Sequence, residues 1–350
     1  MKVAIIGAGI SGLACAFEFE RNGIIPTIFE KKSNPGDTFD LNICMFNTTG
    51  KSYRDPLVYL KKQYNIELNP LSHLNKVTLN TPDKQTILVD NFGYIFKRGI
   101  EEYSLGSQLA SKIKCPITSD TYIHNTKDLS NNFDYIVVAT GNNNIAKSLN
   151  IWNYELSTRI RIATILGKFE TGSLILWFDK RFAKDCYGYM IAHSPKEAIL
   201  TLIVNNISYS EMEYYFKEFL LFTKLNYKIN GITELDFYTG FINTMQIGNT
   251  YFIGNSGGLV EDFLGYGVMN SIESGVLAAR SIINNKNYNI AIQPLINDVN
   301  HFVEFRNKLS DSKNDVYSTE AFISRLPGLK SSYHYCESQE TKVPEVQIKQ

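Results

Sequence analysis

The first thirty residues combine apolar runs with a helical pattern. Residues 3–6 are apolar throughout, which is typical of a buried parallel strand. In residues 11–21 apolar side chains recur at roughly helical spacing, and the Asn-Gly pair at 22–23 is a helix stop signal. Residues 26–30 are again extended in character. The pattern predicts a strand, a helix and a second strand.

The rest of the chain predicts a mixed series of elements. Residues 33–52 are rich in Asn, Gly, Asp and Thr and predict a loop. Alternation over 77–89 around a Thr-Pro-Asp turn predicts a hairpin, and the β-branched and aromatic residues of 174–204 predict an antiparallel sheet. Further helices are predicted at 53–64, 100–112, 211–222 and 268–283, and further buried strands at 133–139 and 251–254. The order of elements predicts one α/β domain interrupted by a second, antiparallel one.

Composition narrows the class of protein. A chain of 350 residues is long enough for two linked domains. The 35 basic and 35 acidic side chains balance, so the clustered positive charge that nucleic-acid binding needs is not expected. The 5 cysteines are scattered without a C-x-x-C pair, and the histidines are dispersed. This spacing favours free thiols in a reducing compartment and predicts no metal site.

The N-terminus runs directly into the first strand, so no signal peptide is expected. The sequence has no run of about 18 apolar residues that would span a membrane. We therefore expect a cytoplasmic protein, for which peripheral contact with a membrane stays open.

A glycine motif lies between the first strand and the first helix. In G-A-G-I-S-G at 7–12, the first glycine permits a tight turn, the second lets a pyrophosphate approach the backbone, and the third packs helix on strand. The helix N-terminus offers free N–H groups to phosphates. Glu30 ends the second strand, where a carboxylate binds ribose hydroxyls. The predicted dinucleotide contacts in this unit are Gly7, Gly9, Ser11, Gly12, Glu30 and Lys31.

A second glycine-rich turn favours FAD over NAD. Residues 254–268 read G-N-S-G-G-L-V-E-D-F-L-G-Y-G-V and lead into the helix predicted at 268–283. An NAD enzyme does not need a second turn of this kind, whereas the ribityl chain and ring of FAD must also be held. A helix beginning near Gly267 and Val268 would aim its positive end at the flavin N1–C2 carbonyl. We therefore predict non-covalently bound FAD.

The two motifs together resemble the FAD-dependent hydroxylase fold, and specifically its geranylgeranyl reductase branch. Gly254, the glycines at 257–258, Gly265, Gly267 and the Ser-Gly pair at 274–275 match the second motif of that branch in register. The segment 93–98 resembles a family strand that ends in an arginine close to the flavin, here Arg98. The segment 186–191 resembles the family's Y-x-W-x-F-P segment over the active site. The resemblance covers about residues 1–285.

The sequence departs from the family at several of these positions. Asn255 replaces the aspartate that binds the ribityl hydroxyls, and an amide can still form hydrogen bonds there. Tyr189 replaces the tryptophan, and Ile-Ala at 191–192 replaces Phe-Pro, so the substrate pocket differs. Thr140-Gly141 replaces an Asp-Gly motif linked to FAD and NADPH, so a ferredoxin-like carrier becomes an alternative to NAD(P)H as electron donor.

The resemblance implies a small set of catalytic candidates. Cys44 lies in the region where the family has a cysteine facing the flavin. Tyr187 and Tyr189 are candidate proton donors or pocket walls. Among the histidines only His193, next to the predicted pocket strand, has a catalytic case. The remaining predicted FAD contacts are Arg98, Thr140, Gly141, Gly254, Asn255, Gly265, Gly267 and Val268.

These expectations define the predicted protein. The fold class is α/β, with a Rossmann-type FAD-binding domain interrupted by an antiparallel-sheet substrate domain and followed by C-terminal helices. The FAD domain is expected at 1–45, 88–145 and 245–290, the substrate domain at 46–87 and 146–244, and a C-terminal helical segment and tail at 291–350.

The expected function is reduction of a carbon–carbon double bond in an apolar, isoprenoid-like or unsaturated acyl substrate by hydride transfer from reduced FAD. The alternatives are a flavin monooxygenase or dehydrogenase of the same fold, and a non-redox protein that binds prenyl chains or a partner. The expected partners are a small apolar substrate and an electron-carrier protein.

Overall fold

A computed structural model describes residues 1–36, 40–47, 55–82, 84–260, 265 and 267–300. The strands are β1 (Val3–Ile6), β2 (Thr27–Phe29), β3 (Leu41–Phe46), β4 (Ser72–Asn80), β5 (Gln85–Arg98), β6 (Ile117–Thr118), β7 (Tyr135–Val138), β8 (Trp152–Leu166), β9 (Ser173–Trp177), β10 (Gly188–Ser194), β11 (Glu197–Asn205), β12 (Lys228–Ile242), β13 (Gln246–Ile247) and β14 (Thr250–Phe252). The α-helices are α1 (Ile10–Arg21), α2 (Pro56–Tyr59), α3 (Leu105–Ala110), α4 (Asn144–Ser148), α5 (Lys180–Ala183), α6 (Tyr209–Thr223), α7 (Val268–Ile283) and α8 (Tyr288–Ala291). A π-helical turn at Leu60–Tyr64 continues α2, and 3₁₀ turns lie at Thr126–Asp128 and Gly254–Gly257.

The smaller sheet is a Rossmann-type layer. Its six strands among the described residues run in the order β13-β14-β7-β1-β2-β6 and are parallel except for the β13–β14 pair. All four residues of β1 are buried, and they share one apolar core with side chains of α1 and α7. The two helices pack on each other, so the first and the last βα units of the sheet share one core.

The larger sheet is antiparallel and curled. Its eight strands run in the order β12-β8-β11-β10-β9-β4-β5-β3, with only β4 and β9 parallel. Helix α6 covers one face, where Met212, Phe216 and Phe219 pack on apolar side chains of β8, β10 and β11. The terminal strand β3 also lies against β10, which shows that the sheet curls back on itself. The inner face carries an apolar cluster that includes Phe46, Tyr187 and Ile191.

The strands β3 and β5 form the wall between the two layers. Met45, Tyr94 and Phe96 point into the core of the Rossmann layer, whereas Cys44 and Ile95 point to the inner face of the curled sheet. Successive side chains of a strand alternate between its two faces, so one pair of strands serves both cores. Residues 41–45 and 88–98, which the sequence-based boundaries assign to the FAD domain, are hydrogen-bonded within the larger sheet.

The predicted fold class is confirmed, with corrections to single elements. The loop prediction for 33–52 is wrong over 41–46, where an apolar strand lies. The helix predicted at 100–112 is confined to α3, because residues 99–104 form a turn that Ser104 closes as N-cap of that helix. The long strands β8 and β12 lie in stretches for which no strand was predicted. Three parts of the predictions lie outside the described residues. They are residues 53–54 of the helix predicted at 53–64, Asp83 of the predicted turn, and the predicted tail beyond residue 300.

No helix in the described part of the chain is long and apolar enough to cross a membrane. Over the same residues no group of three or more His, Cys, Asp and Glu side chains has an arrangement that could hold a metal ion.

Candidate functional site

The first glycine motif is a tight strand-to-helix turn with an open face. Gly7 has φ +108°, a conformation that residues with a side chain rarely adopt, and a Cβ there would collide with the carbonyl of Ala139. A Cβ on Gly12 would overlap the carbonyl oxygen of Gly7, so α1 can pack on β1 only because residue 12 has none. Gly9 is different, since a Cβ there would meet nothing within 4 Å. The protein itself therefore does not require glycine at position 9, and the open space suits a phosphate group at the N-terminus of α1.

Glu30 is fixed at the end of β2 by the turn that it faces. Its side chain is buried, with 7% of its surface exposed. One carboxylate oxygen accepts the backbone N–H of Ala8 at 2.7 Å, and the other accepts that of Lys32 at 2.9 Å. Each oxygen of an ionised carboxylate accepts more than one hydrogen bond, so both can still accept a ribose hydroxyl. The side chain of Lys31 is exposed at the edge of this region.

The second glycine motif is joined directly to the first. The backbone N–H of Gly254 donates to the hydroxyl of Ser274 on α7 at 3.0 Å. A Cβ on Gly254 would meet the hydroxyl of the buried Ser11 at 2.8 Å, and one on Gly275 would collide with the backbone carbonyl of Ser11. Ser274 therefore binds the second turn by a hydrogen bond, and Gly275 allows α7 to pack closely on the N-terminal half of α1. The two motifs, which begin 247 residues apart at Gly7 and Gly254, lie together for this reason.

Asn255 belongs to the second turn, and its side chain reaches the loop after β7. Its amide nitrogen donates to the carbonyl of Gly141 at 2.9 Å, at the end of β7. Its buried Oδ1 has no hydrogen-bond partner among the described residues. A buried acceptor without a protein partner is normally satisfied by water or a ligand. The geometry fits a ribityl hydroxyl, the group that the resemblance assigns to this position. Thr140, next to Gly141, bonds within its own loop to the carbonyl of Asn142 at 3.1 Å.

The helix predicted after the second motif begins where the sequence indicates. Gly267 precedes the first residue of α7, Val268, and a Cβ on Gly267 would collide with the side chain of Val260. Gly265 has φ +71°, in the left-handed region. Residues 261–264 and Tyr266 of the motif lie outside the described residues.

Cys44 on β3, Arg98 at the end of β5 and Tyr189 on β10 form a half-buried cluster, in which Cys44 and Arg98 both act electrostatically on Tyr189. Burial, with a smaller contribution from Cys44, raises the pKa of Tyr189 to about 12, while Thr201 and Arg98 act in the opposite direction. Burial lowers the pKa of Arg98 to about 10, against the influence of Tyr189. Burial also raises the pKa of Cys44. The cluster at neutral pH therefore contains a protonated thiol, a protonated phenol and a guanidinium cation.

The other two catalytic candidates, Tyr187 and His193, lie outside this cluster. Tyr187 is buried in the apolar cluster of the inner face, where its ring lies 5.6 Å from that of Phe178. This contact favours a wall role over proton transfer. His193 lies at the far end of β10, with Nε2 3.5 Å from the hydroxyl of Tyr103, and its pKa is lowered by burial and by Lys97.

Asn42, two residues before Cys44 on β3, was not among the predicted site residues. It is fully buried, and neither its Oδ1 nor its Nδ2 has a hydrogen-bond partner among the described residues. The signal was available as a single polar side chain inside the apolar run 41–46. It was overlooked because residues 33–52 read as a loop, where a polar residue needs no explanation.

Comparison with known proteins supports the Rossmann unit directly. A family model described as an NAD(P)-binding Rossmann-like domain matches residues 5–48. A 4,4'-diapophytoene desaturase from Staphylococcus aureus is 35% identical over 104 residues, which is 26% of this chain and 20% of the desaturase. The chain thus matches about one-fifth of the length of this relative.

Solved structures resemble the chain over nearly its whole length. A geranylgeranyl bacteriochlorophyll reductase-like protein from Thermoplasma acidophilum has a TM-score of 0.70 at 13% identity, over 99% of this chain and 97% of its own. A flavoprotein/dehydrogenase from Cytophaga hutchinsonii has a TM-score of 0.68 at 11% identity, over 96% and 92%. The tetracycline destructase Tet(51) has a TM-score of 0.64 at 14% identity, over 98% of each chain.

The fold of the chain follows from these likenesses. The chain has the fold of these solved proteins and contains a Rossmann-like unit of the dinucleotide-binding type. At identities of 11–14% the structural likeness concerns the fold alone.

Proposed function

We propose that this protein binds FAD and reduces a carbon–carbon double bond of an apolar substrate. Bound FAD would supply the redox chemistry, by transferring hydride from reduced N5 to one alkene carbon while a proton reaches the other. The observation that carries the proposal is the cluster of Cys44, Arg98 and Tyr189. Cys44 lies on β3, Arg98 ends β5 and Tyr189 lies on β10. All three strands belong to the curled sheet, of which β3 and β5 border the Rossmann layer.

The chain's own residues have distinct roles in this proposal. The turn around Gly9 and the carboxylate of Glu30 hold the adenosine half, and Oδ1 of Asn255 accepts from the ribityl chain. Arg98 contributes positive charge near the flavin. Tyr189 is the proposed proton donor, because its phenol is protonated at neutral pH and lies on the same inner face as Cys44.

The apolar surroundings of the cluster support this chemistry. Phe46, Tyr187 and Ile191 line the same inner face as Cys44 and Tyr189. Buried apolar surface excludes water from a reactive intermediate and takes up an apolar substrate. The geranylgeranyl reductase-like name of one structural neighbour is consistent with an isoprenoid-type substrate.

The proposal is tested by anaerobic reoxidation. The purified protein is assayed for FAD released by acid, and the bound flavin is then photoreduced in the absence of oxygen. Polyprenyl alkenes and enoates are added, and recovery of the oxidised flavin absorbance is followed together with the mass of the product. We expect reoxidation and a product heavier by two hydrogens. Bound FAD that no alkene reoxidises would refute the reductase, and a folded protein that does not bind FAD would refute the flavoprotein.

A dehydrogenase is the second candidate, and one observation favours it. The relative matched over 104 residues is a desaturase, which forms double bonds rather than reducing them. In that case the oxidised flavin would be bleached anaerobically by the saturated substrate. The same apparatus therefore distinguishes the two directions of reaction. The monooxygenase alternative requires oxygen consumption coupled to substrate, which an oxygen electrode measures.

A non-redox binding protein is the third candidate. It predicts a colourless protein in which Glu30 and Gly9 can be replaced without loss of ligand binding. The two intact glycine turns, with Oδ1 of Asn255 between them, argue for a bound flavin instead.

A further inference from the structure

Asn42 is a buried amide whose hydrogen-bonding groups are unused by the described protein. Its side chain is 0% exposed, and Oδ1 and Nδ2 both lack partners among the described residues. Burying an amide without hydrogen bonds destabilises a fold, so such groups normally bond to water or to a ligand. Because β3 is extended, Asn42 and Cys44 project from the same face of the strand. Asn42 therefore faces the same side of the strand as Cys44.

A second polar atom that is unpaired among the described residues, Nδ1 of His193, lies in the same region. Asn42 is paired in register with Lys97 on β5, and Lys97 is 3% exposed. His193 lies on β10, which packs against β3, and its Nε2 is 3.5 Å from the hydroxyl of Tyr103, six residues after Lys97. The Nδ1 atom of His193 is also buried and has no hydrogen-bond partner in the described part of the chain.

The charges around Lys97 restrict what this region can bind. Lys97 forms an ion pair with Asp40 and lies 3.8 Å from a carboxylate oxygen of Glu101. Glu197 also acts on Lys97. Asp40, Glu101 and Glu197 together outweigh the charge of Lys97, so an anionic ligand beside Lys97 would be repelled. A neutral ligand meets no such penalty.

We propose that Asn42 and His193 hold a hydroxyl head group of the substrate. A hydroxyl both donates and accepts, so one such group can satisfy Oδ1 and Nδ2 of Asn42 or bridge Asn42 to Nδ1 of His193. The inference rests on the proposed function and narrows it to an apolar unsaturated alcohol. Its physical basis is that a site built around a buried hydrogen-bonding group discriminates strongly against an analogue lacking the matching group.

The experiment compares three probes with the same C20 isoprenoid skeleton, namely geranylgeraniol, geranylgeranoic acid and the hydrocarbon without a head group. Binding to the FAD-loaded protein is measured by calorimetry. We expect the alcohol to bind at least about tenfold more tightly than the hydrocarbon and more tightly than the acid. Equal binding of alcohol and hydrocarbon, or tighter binding of the acid, would overturn the proposal.

The variants Asn42→Leu and His193→Phe test the residues. Both are expected to remove most of the preference for the alcohol and to leave hydrocarbon binding within about twofold of wild type. An unchanged preference in both variants would contradict the assignment. The ratio between probes is the decisive readout, because a general loss of folding would weaken all three probes together.

A matched control on the same sheet separates binding from structure. Asn205 is equally buried, but its Oδ1 accepts from Thr158 at 2.8 Å and its Nδ2 lies 3.5 Å from Asp185. Asn205→Leu should lower the melting temperature by at least about 2 °C, because it leaves the Thr158 hydroxyl unpaired. Asn42→Leu should melt at or above the wild-type temperature. A lower melting temperature for Asn42→Leu, equal to that of Asn205→Leu, would show that Asn42 has a structural role instead.

Failure of this inference is distinguishable from failure of the proposed function. FAD content and anaerobic reoxidation report on the flavin chemistry, whereas the alcohol-to-hydrocarbon binding ratio reports on the head-group site. A yellow, reoxidisable protein without a preference for the alcohol refutes only the head-group site.

Discussion

The different environments of Gly9 and Gly12 make a sharp prediction about the first turn. Both glycines belong to the same motif, yet a Cβ at position 9 would meet nothing within 4 Å, whereas one at position 12 would overlap the backbone of Gly7 and lie 3.2 Å from the Cβ of Ala139. We therefore expect Gly9→Ala to affect FAD binding and Gly12→Ala to affect folding. The same single-carbon change should have two separate consequences.

The magnitudes follow from these contacts. Gly9 is the N-cap of α1 with φ −81°, which alanine also adopts, so Gly9→Ala should cost the apoprotein at most about 1 kcal/mol. Loss of one charge-assisted hydrogen bond to the pyrophosphate costs about 1.5–3 kcal/mol, so FAD should bind roughly 10- to 150-fold more weakly. Gly12→Ala forces α1 away from β1, and overpacking of this kind costs about 1–3 kcal/mol of apoprotein stability.

The assay measures stability and binding separately. Urea unfolding of the FAD-free protein gives the free energy of unfolding, and quenching of flavin fluorescence on titration gives the Kd. Gly231→Ala is the matched control, because Gly231 lies in β12 and a Cβ there also meets nothing within 4 Å. This control should change neither quantity. Wild-type FAD affinity in Gly9→Ala, or wild-type apoprotein stability in Gly12→Ala, would refute the reasoning.

Three further predictions concern the cofactor and the reaction. Glu30→Gln should weaken FAD binding roughly tenfold by fluorescence titration, because the charged acceptor for the ribose and for the N–H of Ala8 is lost; unchanged affinity would contradict the assignment. Tyr189→Phe should slow anaerobic reoxidation by an alkene about 100-fold without changing FAD content, and equal rates in both proteins would exclude Tyr189 as the donor. In the wild-type protein, deprotonation of Tyr189 should slow the reaction only when the pH approaches its pKa of about 12. NADPH should bleach the flavin slowly, whereas dithionite or a reduced ferredoxin should bleach it readily, because Thr140-Gly141 replaces the Asp-Gly motif; stopped-flow bleaching by NADPH at roughly 1–1,000 per second would refute this and favour the hydroxylase.

The boundaries of single elements show where reading the sequence failed. Residues 41–46 form a strand inside a stretch whose flanks are rich in Asn, Gly and Thr, so local composition hid an apolar run of six residues. The strand β12 is mostly exposed on both faces, which removes the alternation from which strands are predicted. Its conformation is imposed by pairing with β8 along nearly its whole length.

The two glycine turns and the placement of Glu30 were predictable because their determinants are local. The turn around Gly7, the helix that begins at Ile10 and the carboxylate of Glu30 lie within 30 residues, where backbone sterics and strand spacing allow few arrangements. The second turn and the start of α7 at Val268 follow the same rule. Sequence alone therefore determined the fold class and the positions of both glycine turns.

The proposed reactive region is assembled only by the tertiary structure. Cys44, Arg98 and Tyr189 lie on three strands, and only the curling of the sheet, which brings β3 against β10, places them together. The buried state of Asn42 likewise depends on strands more than 50 residues away in the sequence. Burial and electrostatic coupling depend on distances across the fold, and the order of residues along the chain does not encode those distances in any local pattern.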